Sequence, residues 1–166
     1  MQRDTGTDGL LSWGQMREPL DHEWYGKGLK FECTQCGNCC TGPSGYVWFS
    51  DGEAKAMADY LGLSEDAFRR QYAHTVNGQW TVNEKWNPAV DGFDCVFLRR
   101  DQESSKALCG IYPVRPTQCR TWPFWPQNLG SRAEWGRAAR NCPGMNRGEI
   151  YPIEQIRILR DRTDDM

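Results

Sequence analysis

Eight cysteines are the residues of this 166-residue chain whose type and spacing could do chemistry. Four of them form the segment Cys33-x2-Cys36-x2-Cys39-Cys40, and the others follow singly at Cys95, Cys109, Cys119 and Cys142. A Cys-x2-Cys step closes a tight turn in which both sulfurs can reach one metal. Two such steps in series present three sulfurs to a single centre, which predicts a thiolate-ligated metal site.

Iron–sulfur clusters and zinc both accept four thiolates, so the softness of the ligands does not separate them. The triple C-x2-C-x2-C is the spacing that bacterial ferredoxins use for a four-iron cluster, which a remote cysteine before proline completes. Cys142-Pro143 matches that remote position. We therefore expect an iron–sulfur cluster of the 4Fe-4S type, with zinc as the alternative.

Cys40 leaves the number of centres open. Adjacent side chains point apart in an extended chain, so Cys39 and Cys40 would not easily share one small ion. Cys40 could reach a second centre together with Cys95, Cys109 and Cys119. A single four-cysteine site fits equally well, because free cysteine is also a common buried residue.

Two other uses of the cysteines are disfavoured. The N-terminus lacks the pattern of a secretory signal, and no segment approaches the roughly 20 apolar residues of a membrane span. We expect a cytoplasmic protein without membrane contact, where structural disulfides are uncommon. A thioredoxin-like pair at Cys33 and Cys36 would need a helix after it, which the following glycines oppose. His22 and His74 are interpreted as ordinary polar residues.

Basic residues accompany the later cysteines. Between positions 115 and 140 there are five arginines and one acid, Glu134. Arg115 and Arg120 bracket Cys119 and could donate hydrogen bonds to its sulfur, although a solvated basic face would look the same. The whole chain has a net charge of -2 and no established binding motif, so nucleic acid is not an expected partner.

Short elements must position these residues. Ser50 with Glu53 and Ser131 with Glu134 are capping boxes that predict helices, and Ser64 predicts another after Gly62. Pro152 predicts the start of a C-terminal helix. We predict strands at 46–49, 95–98 and 107–112, and a loop-like segment at 75–94 that contains one short strand at 80–82. No long helix is expected among the four prolines between 113 and 126.

The apolar core is small, since Leu, Val, Ile and Phe make up only 27 of the 166 residues. Bound metal is therefore expected to help hold the fold. We predict an α+β fold: a small, irregular single domain with short strands and flanking helices, organised around a cysteine-ligated metal centre. Residues 1–28 are expected to be an N-terminal arm, and residues 29–162 the cysteine-cluster domain.

The segment 31–40, Phe-Glu-Cys-Thr-Gln-Cys-Gly-Asn-Cys-Cys, resembles the defining motif of the YkgJ-type cysteine-cluster family, the zinc- or iron-chelating CxxCxxCC domain. The likeness continues through 94–98 and 109–124 and ends at 142–144, with no departure at any cysteine. The resemblance implies that all eight cysteines ligate metal. It also implies an Fe–S oxidoreductase label without an established reaction. A similar cluster occurs in the larger flagellin lysine methylases, whose activity is not carried over.

Two functions follow from these expectations. One is an iron–sulfur protein that transfers electrons to an unidentified redox or protein partner. The other is a zinc module, structural or protein-binding, without catalytic activity. In either case, replacing Cys36 or Cys39 with serine should release metal and loosen the whole domain.

Overall fold

The computed structural model describes residues 23–101, 103 and 106–164. Most of the expected N-terminal arm, together with His22, lies outside these residues. The helices are α1 (Asp51–Leu61), α2 (Glu65–Tyr72), α3 (Thr117–Thr121), α4 (Pro126–Leu129), α5 (Arg132–Asn141) and α6 (Ile153–Asp164). The strands are β1 (Leu29–Phe31), β2 (Thr41–Gly42), β3 (Ala73–Val76), β4 (Gln79–Val82), β5 (Glu84–Asn87), β6 (Gly92–Cys95), β7 (Leu98–Arg100), β8 (Ala107–Cys109) and β9 (Met145–Tyr151).

Within this part of the chain the strands form four small antiparallel sheets. The orders are β1-β9, β2-β6-β5, β3-β4 and β7-β8. Helices and short sheets mix along the chain, which agrees with the α+β expectation. Among the described helices none combines the length and apolarity needed to cross a lipid bilayer.

Local sequence signals set the helix ends. The Ser50 side chain accepts a hydrogen bond from the Glu53 amide, the Glu53 carboxylate accepts one from the Ser50 amide, and Gly62 ends α1 with φ 69°. The side chains of Ser64 and Ser131 cap α2 and α5 by accepting from the amides of Ala67 and Glu134, without the return bond that completes the box at Ser50. These helix predictions are confirmed.

The predicted strand at 46–49 is wrong apart from one isolated bridge between Trp48 and Thr81. The side chain of Gln118 forms hydrogen bonds with the backbone of this segment, as a partner strand would. Its Oε1 accepts from the Trp48 amide at 2.9 Å, and its Nε2 donates to the Tyr46 carbonyl at 3.0 Å. One side chain thus satisfies backbone groups that would otherwise need a strand.

The short strand predicted at 80–82 is confirmed as part of β4, but the rest of 75–94 is not loop-like, because it contains the hairpin β3-β4 and the pair β5-β6. The strand predicted at 95–98 is wrong except at its ends, since Cys95 ends β6 and Leu98 begins β7. The strand predicted at 107–112 is shorter, since only Ala107–Cys109 pairs with β7. Strand β9 was not predicted, and it pairs with the distant β1.

Two apolar clusters lie on either side of the cysteine-bearing segments. The first cluster joins α1 and α2 to Val82, Val96, Phe97 and Ile111, with Cys95 and Cys109 packed against it. The second joins Tyr25 and Leu29 to Phe124, Trp135 and Ile156, and it includes the buried Cys142. The cysteines therefore lie where both clusters meet.

Candidate metal centre

The loop that carries the first four cysteines is fastened at two points. The backbone N–H of Ala107 in β8 donates to the Gln35 carbonyl at 2.7 Å. On the other side, Asn38 Nδ2 donates to the Asn141 carbonyl at 2.8 Å. These contacts bring the loop beside the segments that carry Cys109 and Cys142.

Cys39 and Cys40 lie in a 3-10 turn, Asn38–Cys40, that begins after Gly37 at φ 74°. Their sulfurs are 3.7 Å apart, so the extended geometry expected to separate them does not apply. The hydrogen bond with Cys40 lowers the pKa of Cys39 to about 7. The same hydrogen bond, followed by burial, raises the pKa of Cys40.

Three further thiols come from three separate elements: Cys95 ends β6, Cys109 ends β8 and Cys119 lies in α3. Burial raises the pKa of Cys95 to about 11. Burial likewise raises the pKa of Cys109 and Cys119. These thiols are therefore protonated at neutral pH in the metal-free protein and would lose their protons on binding metal.

Backbone amides partly oppose the effect of burial. The Phe97 amide hydrogen-bonds the sulfur of Cys95, and the Ile111 amide hydrogen-bonds that of Cys109; each bond lowers the pKa of its cysteine. In both cases the donor lies two residues after the cysteine. Amide donors aimed at sulfur stabilise a thiolate and tune a bound cluster.

Every pair among Cys39, Cys95, Cys109 and Cys119 lies close enough for a charge on one sulfur to raise the pKa of the other. Together with Cys33 and Cys40 they line a cavity of about 80 Å³, which we call the thiol cavity. Its walls also include Phe97 and Ile111 of the first apolar cluster and Trp122, which packs on the second.

Cys36 and Cys142 do not line the thiol cavity. Cys142 is buried, and the indole Nε1 of Trp122 donates to its sulfur at 3.5 Å. Cys33 is exposed and Cys36 half-buried. All eight cysteines are free thiols, so none is joined in a disulfide.

The two arginines that bracket Cys119 differ in their surroundings. The positive charge of Arg115 lowers the pKa of Cys39, Cys109 and Cys119. Arg120 instead donates to Thr117 Oγ1 at 3.0 Å and pairs with Glu53 at 3.5 Å. Of these two arginines, Arg115 is thus the one that favours negative charge in the thiol cavity, and Arg99 adds a smaller effect of the same sign at Cys109.

The donor set is thiol-based. Within residues 23–101, 103 and 106–164, no three His, Cys, Asp or Glu side chains converge on one point as ligands of a single ion would. The cysteine sulfurs surround a small volume instead. His74, the histidine of this region, bonds Asn83 Oδ1 at 2.8 Å on the β3-β4 hairpin. Half-buried thiols with amide donors and a nearby arginine fit a soft, anionic thiolate centre.

Several of these features could not be predicted from the sequence. The amides of Phe97 and Ile111 have no side-chain signature, and their role depends on the turns after β6 and β8. Trp122 could be suspected as a site residue, because it follows Cys119 closely in a proline-rich segment. Nothing in the sequence, however, indicates its contact with Cys142. These contacts depend on tertiary packing.

Together the fold and the site define a class: small α+β proteins that gather cysteine thiols from distant segments to chelate metal. This chain belongs to the CxxCxxCC family, described as a "putative zinc- or iron-chelating domain", which matches residues 32–143. The resemblance to the YkgJ-type family is confirmed, and so is metal chelation as the family's described property.

One curated relative is "Uncharacterized protein MJ0661" of Methanocaldococcus jannaschii, which is 31% identical over 100 residues. The match covers 60% of this chain and 48% of the relative. The chain therefore spans about half the length of the curated relative it matches. No solved structure matches the chain.

Proposed function

We propose that this chain holds an iron–sulfur cluster of the 4Fe-4S type and uses it for one-electron transfer. Cys39, Cys95, Cys109 and Cys119 would be its thiolate ligands. The observation that supports this proposal is that four separate segments contribute these sulfurs to one cavity of about 80 Å³. The description of the family as zinc- or iron-chelating supports metal binding by these thiols further.

A cluster and a single ion differ in how far apart they hold their thiolate ligands. A tetrahedral zinc with bonds of about 2.3 Å to sulfur would hold all six sulfur pairs at about 3.8 Å. In the described part of the chain no three ligand side chains converge in that way. A four-iron cluster places its own irons and sulfides between the cysteines, so its ligands lie further apart around a volume.

Charge in the cavity is consistent with such a cluster. A four-iron cluster with four thiolates carries roughly two negative charges, and its potential depends on hydrogen bonds to sulfur and on nearby cations. The Phe97 and Ile111 amides and Arg115 supply these contributions. Phe97 and Ile111, each about 2% exposed, exclude water from one side.

The cavity lies close enough to the surface for electron exchange with a protein partner. Leu108 and Tyr112 line the cavity, and 45% and 48% of their respective surfaces are exposed. Such a half-exposed apolar rim suits a transient encounter with a redox partner. Cytoplasmic residence and the Fe–S oxidoreductase label are part of the same proposal.

A zinc-binding structural module is the second candidate. The 3.7 Å separation of the Cys39 and Cys40 sulfurs supports it, because two thiolates on one tetrahedral zinc lie about 3.8 Å apart. The thiol-based donor set suits zinc equally. In this case the metal would stabilise the fold and its surface would serve partner binding, without catalysis.

Anaerobic purification followed by elemental analysis separates these functions. The first predicts brown protein with broad visible absorbance, with iron and acid-labile sulfide in equal amounts, and bleaching on reduction. The second predicts colourless protein with stoichiometric zinc. Protein that binds neither metal after anaerobic reconstitution would contradict both.

A further inference from the structure

A second, larger cavity adjoins the thiol cavity. It has a volume of about 600 Å³, within the range of small-molecule sites, and we call it the adjoining cleft. Six residues line both cavities and form the wall between them: Cys33, Cys39, Tyr112, Arg115, Cys119 and Trp122. A molecule in the cleft would therefore lie directly beside the thiols.

Arg115 presents a positive charge on this shared wall. Its Nε donates to the Tyr112 carbonyl at 3.2 Å, and its guanidinium lies over the Tyr112 ring, 3.7 Å from the centroid. Both contacts fix the orientation of the guanidinium. Among the described residues no carboxylate forms an ion pair with Arg115, whereas Arg120 is paired with Glu53. A fixed guanidinium of this kind binds planar oxyanions with two parallel hydrogen bonds.

Another part of the cleft is apolar and is formed by aromatic rings. Phe31, Phe124 and Tyr151 all line the cleft and pack on one another, with ring centroids 4.8 to 6.3 Å apart. Phe31 and Tyr151, both half-buried, offer an apolar surface to the body of a ligand, and the buried Phe124 packs against both rings. An organic molecule with both an apolar body and an anionic group would satisfy the two parts of the cleft.

Acidic residues limit the charge of that ligand. Glu32 and Glu149 also line the cleft, and because Arg120 is already paired with Glu53, the charge of Arg115 faces two carboxylates there. A polyanion such as a nucleoside triphosphate or a nucleic acid would gain at Arg115 but be repelled by the two carboxylates. A single negative charge, placed on Arg115, meets less of this repulsion than a polyanion does.

We propose that the adjoining cleft binds a small organic monocarboxylate with an apolar body, its carboxylate on Arg115 and its body against Phe31 and Tyr151. The ligand would then lie beside the thiol cavity, as a substrate or effector of the metal centre would. Binding itself does not depend on the proposed electron transfer, because it is measured on the purified metal-loaded protein whatever metal is found.

The test uses 4-fluorophenylacetate as probe and 4-fluorophenylacetamide as its neutral analogue, both followed by 19F NMR. Charge-assisted hydrogen bonds predict saturable binding of the acid, about tenfold or more tighter than the amide. The Arg115→Gln variant should lose this preference, while Arg147→Gln, an exposed arginine outside the cleft, should keep it. Equal affinity of acid and amide for the unmodified protein would overturn the proposal without any variant.

Filling the cleft provides a second, independent variant. Gln155 is an exposed residue of α6 that lines the cleft, so Gln155→Trp should weaken binding of acid and amide alike. The matched control is Glu154→Trp, one residue earlier and outside the lining. Metal content and melting temperature are measured for each variant. Undiminished binding in Gln155→Trp, or displacement of the probe by ATP at lower concentration than by phenylacetate, would overturn the proposal.

Discussion

The backbone N–H of Ala107 donates to the carbonyl oxygen of Gln35 at 2.7 Å, which ties the cysteine loop to the strand that ends at Cys109. At the same contact, Gly37 lies directly against the Ala107 side chain. The spacing of Cys39 and Cys109 across the thiol cavity therefore depends on how closely the loop and β8 approach.

Gly37→Ala should disrupt this approach. Gly37 has φ 74°, and an added Cβ would lie 2.5 Å from the Ala107 Cβ. Left-handed backbone strain and overpacking together predict a loss of about 2 kcal/mol or more of unfolding free energy. We also expect a lower metal content, because the loop must move away from β8. Thermal denaturation and elemental analysis measure both effects.

The matched control is Gly62→Ala. Gly62 has φ 69° but nothing within 4 Å of an added Cβ, so only the backbone strain, about 1 kcal/mol, applies. Metal content should be unchanged in this variant. Equal metal content in both variants would show that the contact between Gly37 and Ala107 does not position the thiols.

Removal of the metal should destabilise the whole domain. The thiol cavity is walled by residues of both apolar clusters, so a bound centre cross-links them. Metal binding to a site absent from the unfolded chain contributes directly to folding free energy. We expect chelation under anaerobic conditions to lower the melting temperature by more than about 10 °C. A melting curve that is the same before and after chelation would exclude a structural role for the metal.

The lowered pKa of Glu23 predicts that the folded protein loses stability in acid. Its burial alone would raise its pKa, but hydrogen bonds from Tyr25, Arg157 and Arg160 outweigh this, and the pKa falls below the ordinary 4.5. A lowered carboxyl pKa contributes stability that is present above pH 4.5 and is lost as the pH falls through the folded-state pKa.

Chemical denaturation of the parent protein and Glu23→Gln at several pH values measures this contribution. We expect the parent to be more stable above pH 4.5, and the difference to shrink as the pH falls further. Glu154→Gln, on the exposed side of α6, serves as control for a general effect of removing one carboxylate. A difference that grows toward acid would contradict the sign worked out for Glu23.

Elements with local signals could be predicted from the sequence. Ser50, Glu53 and Gly62 define both ends of α1 through contacts within that helix and its caps. Strand β9 lacks such signals: most of its residues are exposed, Gly148 interrupts it, and its partner β1 is remote in sequence. Long-range pairing of polar segments leaves little trace in local periodicity.

The same contrast holds for the candidate site. The cysteines and the family could be recognised from their order and spacing. Their grouping was predicted only in part. The suggested set of Cys40, Cys95, Cys109 and Cys119 does line one cavity, but Cys39 lines it too, although the C-x2-C-x2-C pattern favours Cys33, Cys36 and Cys39 as a set. Which thiols meet depends on where β6, β8 and α3 end, and the packing of the two apolar clusters determines that.

The grouping makes opposite predictions for two serine variants. Cys119→Ser removes a sulfur of the thiol cavity, so we expect it to lose the cluster. Cys36→Ser changes a thiol outside the cavity lining, so we expect it to keep the cluster, contrary to the expectation from spacing alone. Loss of the cluster in Cys36→Ser but not in Cys119→Ser would show that the sequential triple provides the ligands.

Iron and acid-labile sulfide, measured per chain on anaerobically purified parent protein and Cys119→Ser, test the central claim most directly. We predict about four irons and four sulfides in the parent and a large loss of both in the variant. Zinc in place of iron in the parent, or unchanged iron and sulfide in Cys119→Ser, would contradict an iron–sulfur cluster held in the thiol cavity.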